Sequence, residues 1–165
     1  VKLSRMESGI IAVHSEDTTI KQMLESIQQQ FNVKVREKNI TLSLCDTDLH
    51  VRCDSKWTVE ALGNIVDNAI KYTACGGNVQ IKVEQYSFFV KIDIIDDGIG
   101  IEKEEIPKIF GRFYRSLSVA DQPGVGIGLF LAREIIQAQK GYIKVTSERE
   151  KGSTFSVFLP ISKKE

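Results

Sequence analysis

This 165-residue chain lacks the means for a disulfide scaffold. Its three cysteines, Cys45, Cys53 and Cys75, are odd in number and have no CxxC spacing, and a chain this long can fold without staples. Reduced thiols in a cytoplasmic setting are expected. No apolar run approaches the roughly 20 residues needed to span a bilayer, and the N-terminus carries no signal-peptide pattern. Net charge is absent too: 22 basic side chains balance 22 acidic ones. Nothing overall draws the chain to nucleic acid or an anionic membrane, and any anion site must be local. There is no solenoid repeat and no low-complexity tract. What is present is a 42% hydrophobic composition, enough for one domain's core. Residues 1–16 read as a stub ahead of a domain at 17–165.

The stub ends in a Ser/Glu/Asp/Thr cluster suited to capping a helix. Ile20, Leu24, Ile27 and Phe31 then recur at helical spacing, which predicts a helix over about 17–32. Two short alternating runs, ITLSL from Ile40 and HVRCD from His50, predict a small hairpin. A second helix is expected over about 55–72. After the Gly76-Gly77 turn, Val79, Ile81 and Val83 alternate with polar residues. Phe88, Val90, Ile92 and Ile94 do the same, giving two half-buried antiparallel strands. A glycine-rich stretch near Gly124 leads into a third helix, with Lys140 as a basic last residue and Gly141 as its C′ glycine. Strands near 142–147 and 153–159 close an α+β chain: a two-layer α/β sandwich with helices on one face of a largely antiparallel sheet.

Three features carry chemistry. On the second helix, at about 100° per residue, Leu62, Ile65, Val66, Ala69 and Ile70 share one face, while Glu60, Asn64, Asn68, Lys71 and Tyr72 share the other. Such a stripe is commonly a solvated face, but asparagine is a poor helix former and two of them four apart suggest ligation. A neutral amide oxygen at Asn68 suits a Mg²⁺ whose charge phosphates already match, and Lys71 could neutralise a phosphate oxygen. Next, in FFVKIDIIDDGIGI, Asp96 is in phase with Phe88, Val90, Ile92 and Ile94 and so points inward, where a carboxylate must find donors. It is either a turn aspartate opening the DDG bend or an acceptor for an exocyclic amine. Gly98 and Gly100 would let a flat ring approach the backbone. Last, Gly124, Gly126 and Gly128 in QPGVGIGLFLAREI precede or open a helix whose N-terminal N–H groups suit phosphates, although Gly128 could instead serve close packing. The spacing is neither a P-loop nor a dinucleotide fingerprint. Between these boxes, Phe110, Phe113 and Tyr114 stand beside Arg112 and Arg115, and residues 116–122 read as a lid.

Together VEALGNIVDNAIKYT, DDGIGI, IFGRFYR, GVGIGL and KGSTFSVFLP resemble, in order and spacing, the N box, glycine boxes and F box of sensor histidine kinases. The resemblance runs from about residue 17 to residue 160. It implies the Bergerat ATP-binding fold shared with gyrase-type, heat-shock chaperone and mismatch-repair ATPases, a mixed, mostly antiparallel sheet under three helices. It also implies ATP and Mg²⁺ as cofactors. By position, Asn68 would ligate Mg²⁺, Asn64 and Lys71 would contact the phosphates, and Tyr72 would lie against the nucleotide. Asp96 would accept the adenine amino group, supported by Thr154, with Gly98, Gly100 and Ile101 bordering the pocket. Arg115 would reach the γ-phosphate, with Arg112 and Tyr114 beside it. Gly124, Gly126, Gly128 and Leu129 would hinge the lid and meet phosphates. The catalytic set is then Asn64, Lys71 and Arg115. Gly111 stands where the family often has glutamate, and Gly152 is a single glycine where members often have two.

Related ATPases resemble this chain but carry a water-activating glutamate at the position of Asn64. Asparagine cannot act as a general base, so transfer rather than hydrolysis is implied. The stub resembles the end of a dimerisation hairpin, which implies that the phosphoacceptor histidine lies on a helix outside this chain. Neither His14 nor His50 precedes the acidic residue typical of the phosphoacceptor. Expected partners are ATP, the hairpin of a homodimeric parent and a response regulator. The rival readings are a hydrolysing ATPase, a serine-directed anti-sigma-type kinase, and a non-catalytic nucleotide-sensing module.

Overall fold

The computed structural model describes residues 11–111 and 128–162. Its strands are β1 (Glu16–Thr19), β2 (Thr41–Leu44), β3 (His50–Cys53), β4 (Asn78–Tyr86), β5 (Phe89–Asp96), β6 (Tyr142–Glu148) and β7 (Gly152–Pro160). Its α-helices are α1 (Ile20–Glu37), α2 (Ser55–Tyr72) and α3 (Gly128–Ala138), with a 3₁₀ turn at Ile106–Lys108. The main sheet runs β2-β4-β5-β7-β6, with β2 parallel to β4 and every other pairing antiparallel. The α+β sandwich expected from the sequence is therefore present.

Alternation along β5 explains the layering. Val90, Ile92 and Ile94 are fully buried under the helices, while Lys91, Asp93 and Ile95 between them are half-buried on the far face. Facing them, α1 contributes Met23, Leu24, Ile27 and Phe31, α2 contributes Leu62, Ile65 and Val66, and α3 contributes Leu131, Ile135 and Ile136. Each such side chain contributes about 2 kcal/mol by leaving water. The far face is closed by aromatics. Tyr142 and Phe158 stack at 4.3 Å, and Phe89 meets Tyr142 edge-on at 5.4 Å. Phe88 does not share the inward phase of β5. It sits 81% exposed at the hairpin tip, after Ser87 with φ 58.

The hairpin expected from residues 40–53 does not form. β2 lies along β4 with Leu42 beside Val79 and Leu44 beside Ile81, which covers two apolar side chains that a free hairpin would expose. β3 pairs instead with β1, Thr18 opposite Val51. The polar cluster at residues 16–19 is therefore a strand and not a capping box. α1 starts at Ile20 behind Thr19, which makes no side-chain capping bond. It also outlasts Asn32. Its stop is a Schellman turn at Asn39 (φ 55), with Asn39 N–H on the Arg36 carbonyl and Ile40 N–H on the Val35 carbonyl.

α2 matches its expected limits because Asp54 caps it, Oδ1 accepting from Trp57 N–H at 3.2 Å. α3 ends at Ala138, and the left-handed C′ residue is Lys140 (φ 65) rather than Gly141. Lys140 N–H bonds the Gln137 carbonyl and Gly141 N–H the Ile136 carbonyl, so the glycine is the residue after the cap. Residues 11–15, expected as linker, pack onto the domain. Ile11 and Val13 touch the core, Trp57 Nε1 donates to the Ala12 carbonyl at 3.2 Å, and His14 N–H donates to Asp54 Oδ2 at 2.9 Å. The three cysteines are free. Among the described residues no helix is long and apolar enough to cross a membrane.

Candidate nucleotide site

α2 runs down the middle of the helix layer, packed against α1 on one side and α3 on the other, and every residue of its polar stripe is half-buried. Asn64 and Asn68 are half-buried. Asn64 Nδ2 donates to the Gly128 carbonyl in the first turn of α3 at 3.1 Å. A side chain at Gly128 would meet Asn64 only at ordinary contact distance, 3.7 Å, so close packing does not require glycine there. Leu129, next along, is partly buried against the core.

At the far end of α2 the glycine box docks on the helix terminus. Ile99 N–H donates to the Tyr72 carbonyl at 3.2 Å, and a Cβ on Gly98 would lie 2.3 Å from that same oxygen. Gly98 therefore permits the approach of the loop to α2. Gly100 turns the chain at φ +73, where a Cβ would strike the Glu148 carbonyl at 2.0 Å. The two consecutive aspartates divide their labour. Asp97 is occupied by Asn78, Oδ1 accepting its N–H at 2.8 Å and Oδ2 its amide at 3.0 Å. Asp96, 7% exposed, points under the helices and accepts from Gly98 N–H at 2.9 Å. Burial pushes the Asp96 carboxyl above its ordinary range against the pull of the Gly98 and Ser153 N–H groups, and the Asp97 charge adds to the rise. A buried carboxylate at the end of a strand, beside a helix terminus and a loop with glycine at 98 and 100, suits a flat ring bearing an amine.

The family profile described as histidine kinase-, DNA gyrase B- and HSP90-like ATPase matches residues 53–163, more than half of the chain. The chain belongs to this ATPase family. Within it, the chain is 32% identical over its whole length to the sensor histidine kinase WalK of Bacillus subtilis (strain 168), of which it spans 28%. It superposes on the mycobacterial sensor histidine kinase MprB with a TM-score of 0.79 at 25% identity, covering 90% of this chain and 98% of that one. It also shares its fold with full-length ShkA, solved in complex with AMPPNP, at a TM-score of 0.86 and 20% identity, covering 99% of this chain and 34% of that one. The chain is a histidine kinase-type ATP-binding catalytic domain.

In this ATPase domain the structure brings Asn64 and Gly128 together at one end of the candidate site, with Leu129 next along α3, and places Tyr72, Asp96, Gly98, Gly100 and Ile101 at the other. Arg112, Tyr114, Arg115, Gly124 and Gly126 lie outside the described residues. Lys71 is engaged elsewhere. Its Nζ is 3.2 Å from Asp67 Oδ2, whose other oxygen holds Lys34 of α1 at 2.8 Å.

Thr154 does not support Asp96. It pairs with Ile95, and alternation along β7 sends it to the sheet face away from the helices. Ser153 is the residue opposite Asp96, buried to 7% exposure. A count of phase back from the inward residues Val157 and Phe155 finds it. Two further side chains join this region, Ser147 on β6, bonded to Ser153, and Arg133 on α3. The Arg133 guanidinium lies 5.2 Å over the Phe110 ring, which in turn meets Phe155 edge-on. Ser147 shares phase with Ile143 and Val145, whereas nothing in the sequence ties Arg133 to the F box.

Proposed function

We propose that this domain binds Mg·ATP and delivers the γ-phosphoryl group to a histidine on a dimerisation hairpin of its parent protein, which passes it to an aspartate of a response regulator. The observation that carries the reading is Asp96, a buried carboxylate held at the mouth of a loop–helix junction where its cost is recovered by an exocyclic amine. Adenine supplies that amine, in keeping with the AMPPNP bound by ShkA. Asn68, one turn from Asn64 on the same stripe, offers Mg²⁺ a neutral amide oxygen. Among the described residues no cluster of His, Cys, Asp and Glu could cage a metal alone, so the ion would arrive with the phosphates. Mg²⁺ would supply charge neutralisation across the phosphates.

The chain's own contributions follow from position. Asn64 holds the start of α3, whose N-terminal N–H groups favour anionic oxygens. Lys71 would exchange Asp67 for a phosphate, and Arg115 would meet the γ-phosphoryl. Asparagine at position 64 cannot act as a general base to activate water, which favours transfer. The segment ahead of β1 would link the domain to the hairpin of a homodimer. The domain would lie on the cytoplasmic side of a membrane sensor.

The test is transfer in trans. The chain, γ-labelled ATP and a separately made dimerisation hairpin should yield acid-labile, base-stable phosphate on the hairpin histidine. Rapid phosphate release by the chain alone, without labelled hairpin, would instead identify a hydrolysing ATPase.

A further inference from the structure

The Ser147 hydroxyl on β6 is the meeting point of three bonds. It accepts from Ile101 N–H at 2.8 Å, lies 3.0 Å from the Gly152 carbonyl, and lies 2.7 Å from the Ser153 hydroxyl. Proton bookkeeping fixes the direction of each. A serine hydroxyl has one hydrogen, and only Ser147 can donate to the Gly152 carbonyl. The Ile101 amide can only donate. The hydrogen between the two serines must therefore come from Ser153, which leaves the Ser153 oxygen as an acceptor on the same sheet face as Asp96, its cross-strand partner.

The same hydroxyl clamps the loop. The β6–β7 turn also holds the glycine box through Glu150 N–H to the Ile99 carbonyl at 2.6 Å and Arg149 to Glu102 at 3.0 Å. Those two contacts involve exposed groups, whereas Ser147 is half-buried and its partner Ser153 is buried opposite Asp96.

We infer that Ser147 is a positioning residue for base discrimination. By taking the Ser153 hydrogen and fixing the Ile101 amide, it leaves the Ser153 hydroxyl opposite Asp96 as an acceptor, so that a 6-amino purine is accepted and a 6-oxo purine is refused. This rests on the reading of Asp96 as the adenine acceptor. Without Ser147, the Ser153 hydroxyl is free to rotate and donate to a 6-oxo group, and the refusal weakens.

The experiment titrates the 165-residue chain and its Ser147→Ala and Ser147→Thr variants with Mg·ATP and Mg·ITP, and follows exchange of the Ile101 amide. The expected result is an ATP-over-ITP preference reduced about fivefold or more in Ser147→Ala, the scale of one hydrogen bond. The Ile101 amide should exchange faster, and Ser147→Thr should retain the preference. An unchanged ATP/ITP ratio in Ser147→Ala, including a uniform loss of affinity for both nucleotides, overturns the inference. Asp96→Asn keeps the two claims apart. If it too leaves the ratio unchanged, the adenine reading itself has failed, and if it alone shifts the ratio, only the role of Ser147 has.

Discussion

Asn64 donates its amide hydrogen to the carbonyl of Gly128 at 3.1 Å, tying the middle of α2 to the first turn of α3. The bond has a polarity. Asparagine can donate, whereas an ionised aspartate of the same shape would face the carbonyl as a second acceptor. Asn64→Asp is predicted to destabilise the domain by about 1–2 kcal/mol at neutral pH. Thermal melts should show the loss shrinking in acid, where the protonated carboxyl can donate again.

Asn68 is assigned a different kind of role on the same helix face. Asn68→Ala should leave the melting temperature within a degree or two, since a half-buried polar side chain is removed from a helix and replaced by the best helix former. ATP affinity should lose its dependence on Mg²⁺. Paired titrations with magnesium and with a chelator measure this directly.

Asp67 is the pH-sensitive element of the helix layer. Burial pushes its carboxyl up, but Lys34 and Lys71 together bring it below its ordinary 3.8. A carboxyl held below its unfolded value contributes stability that is present above 3.8 and is lost as pH falls through the folded value. Asp67→Asn should therefore cost about 1 kcal/mol near neutrality, and the gap from wild type should close in acid below 3.8. A gap that stays constant across that range would contradict the ion-pair account.

How far the sequence discloses the fold depends on the range of the forces involved. α2 is legible because its apolar stripe and its Asp54 cap are local. β1 and β2 are not, since four-residue edge strands take their identity from partners distant in the chain. Leu42 and Leu44 find Val79 and Ile81 across more than thirty positions. The site divides in the same way. Asp96 follows from alternation along β5, whereas Thr154 and Ser153 stand one residue apart, which in a strand reverses the face. The pairing of Lys71 with Asp67 depends on Lys34 from another helix, which no local pattern contains.

The ends of α1 and α3 show what a left-handed cap costs. Asn39 tolerates φ 55, but Lys140 holds φ 65 with a full side chain. Lys140→Gly should raise stability by about 0.5–1 kcal/mol, as read in chemical denaturation, without changing nucleotide affinity.

The central claim is that Asp96 recognises adenine. Because burial raises its carboxyl, keeping it charged costs the folded state stability as pH rises between 3.8 and the folded value. Asp96→Asn should therefore melt no lower than wild type at neutral pH. The decisive measurement is calorimetric titration of the wild-type chain and Asp96→Asn with Mg·ATP. The account predicts an affinity loss of about a hundredfold in a variant that is as stable as wild type. Equal ATP affinities in the two proteins would contradict it.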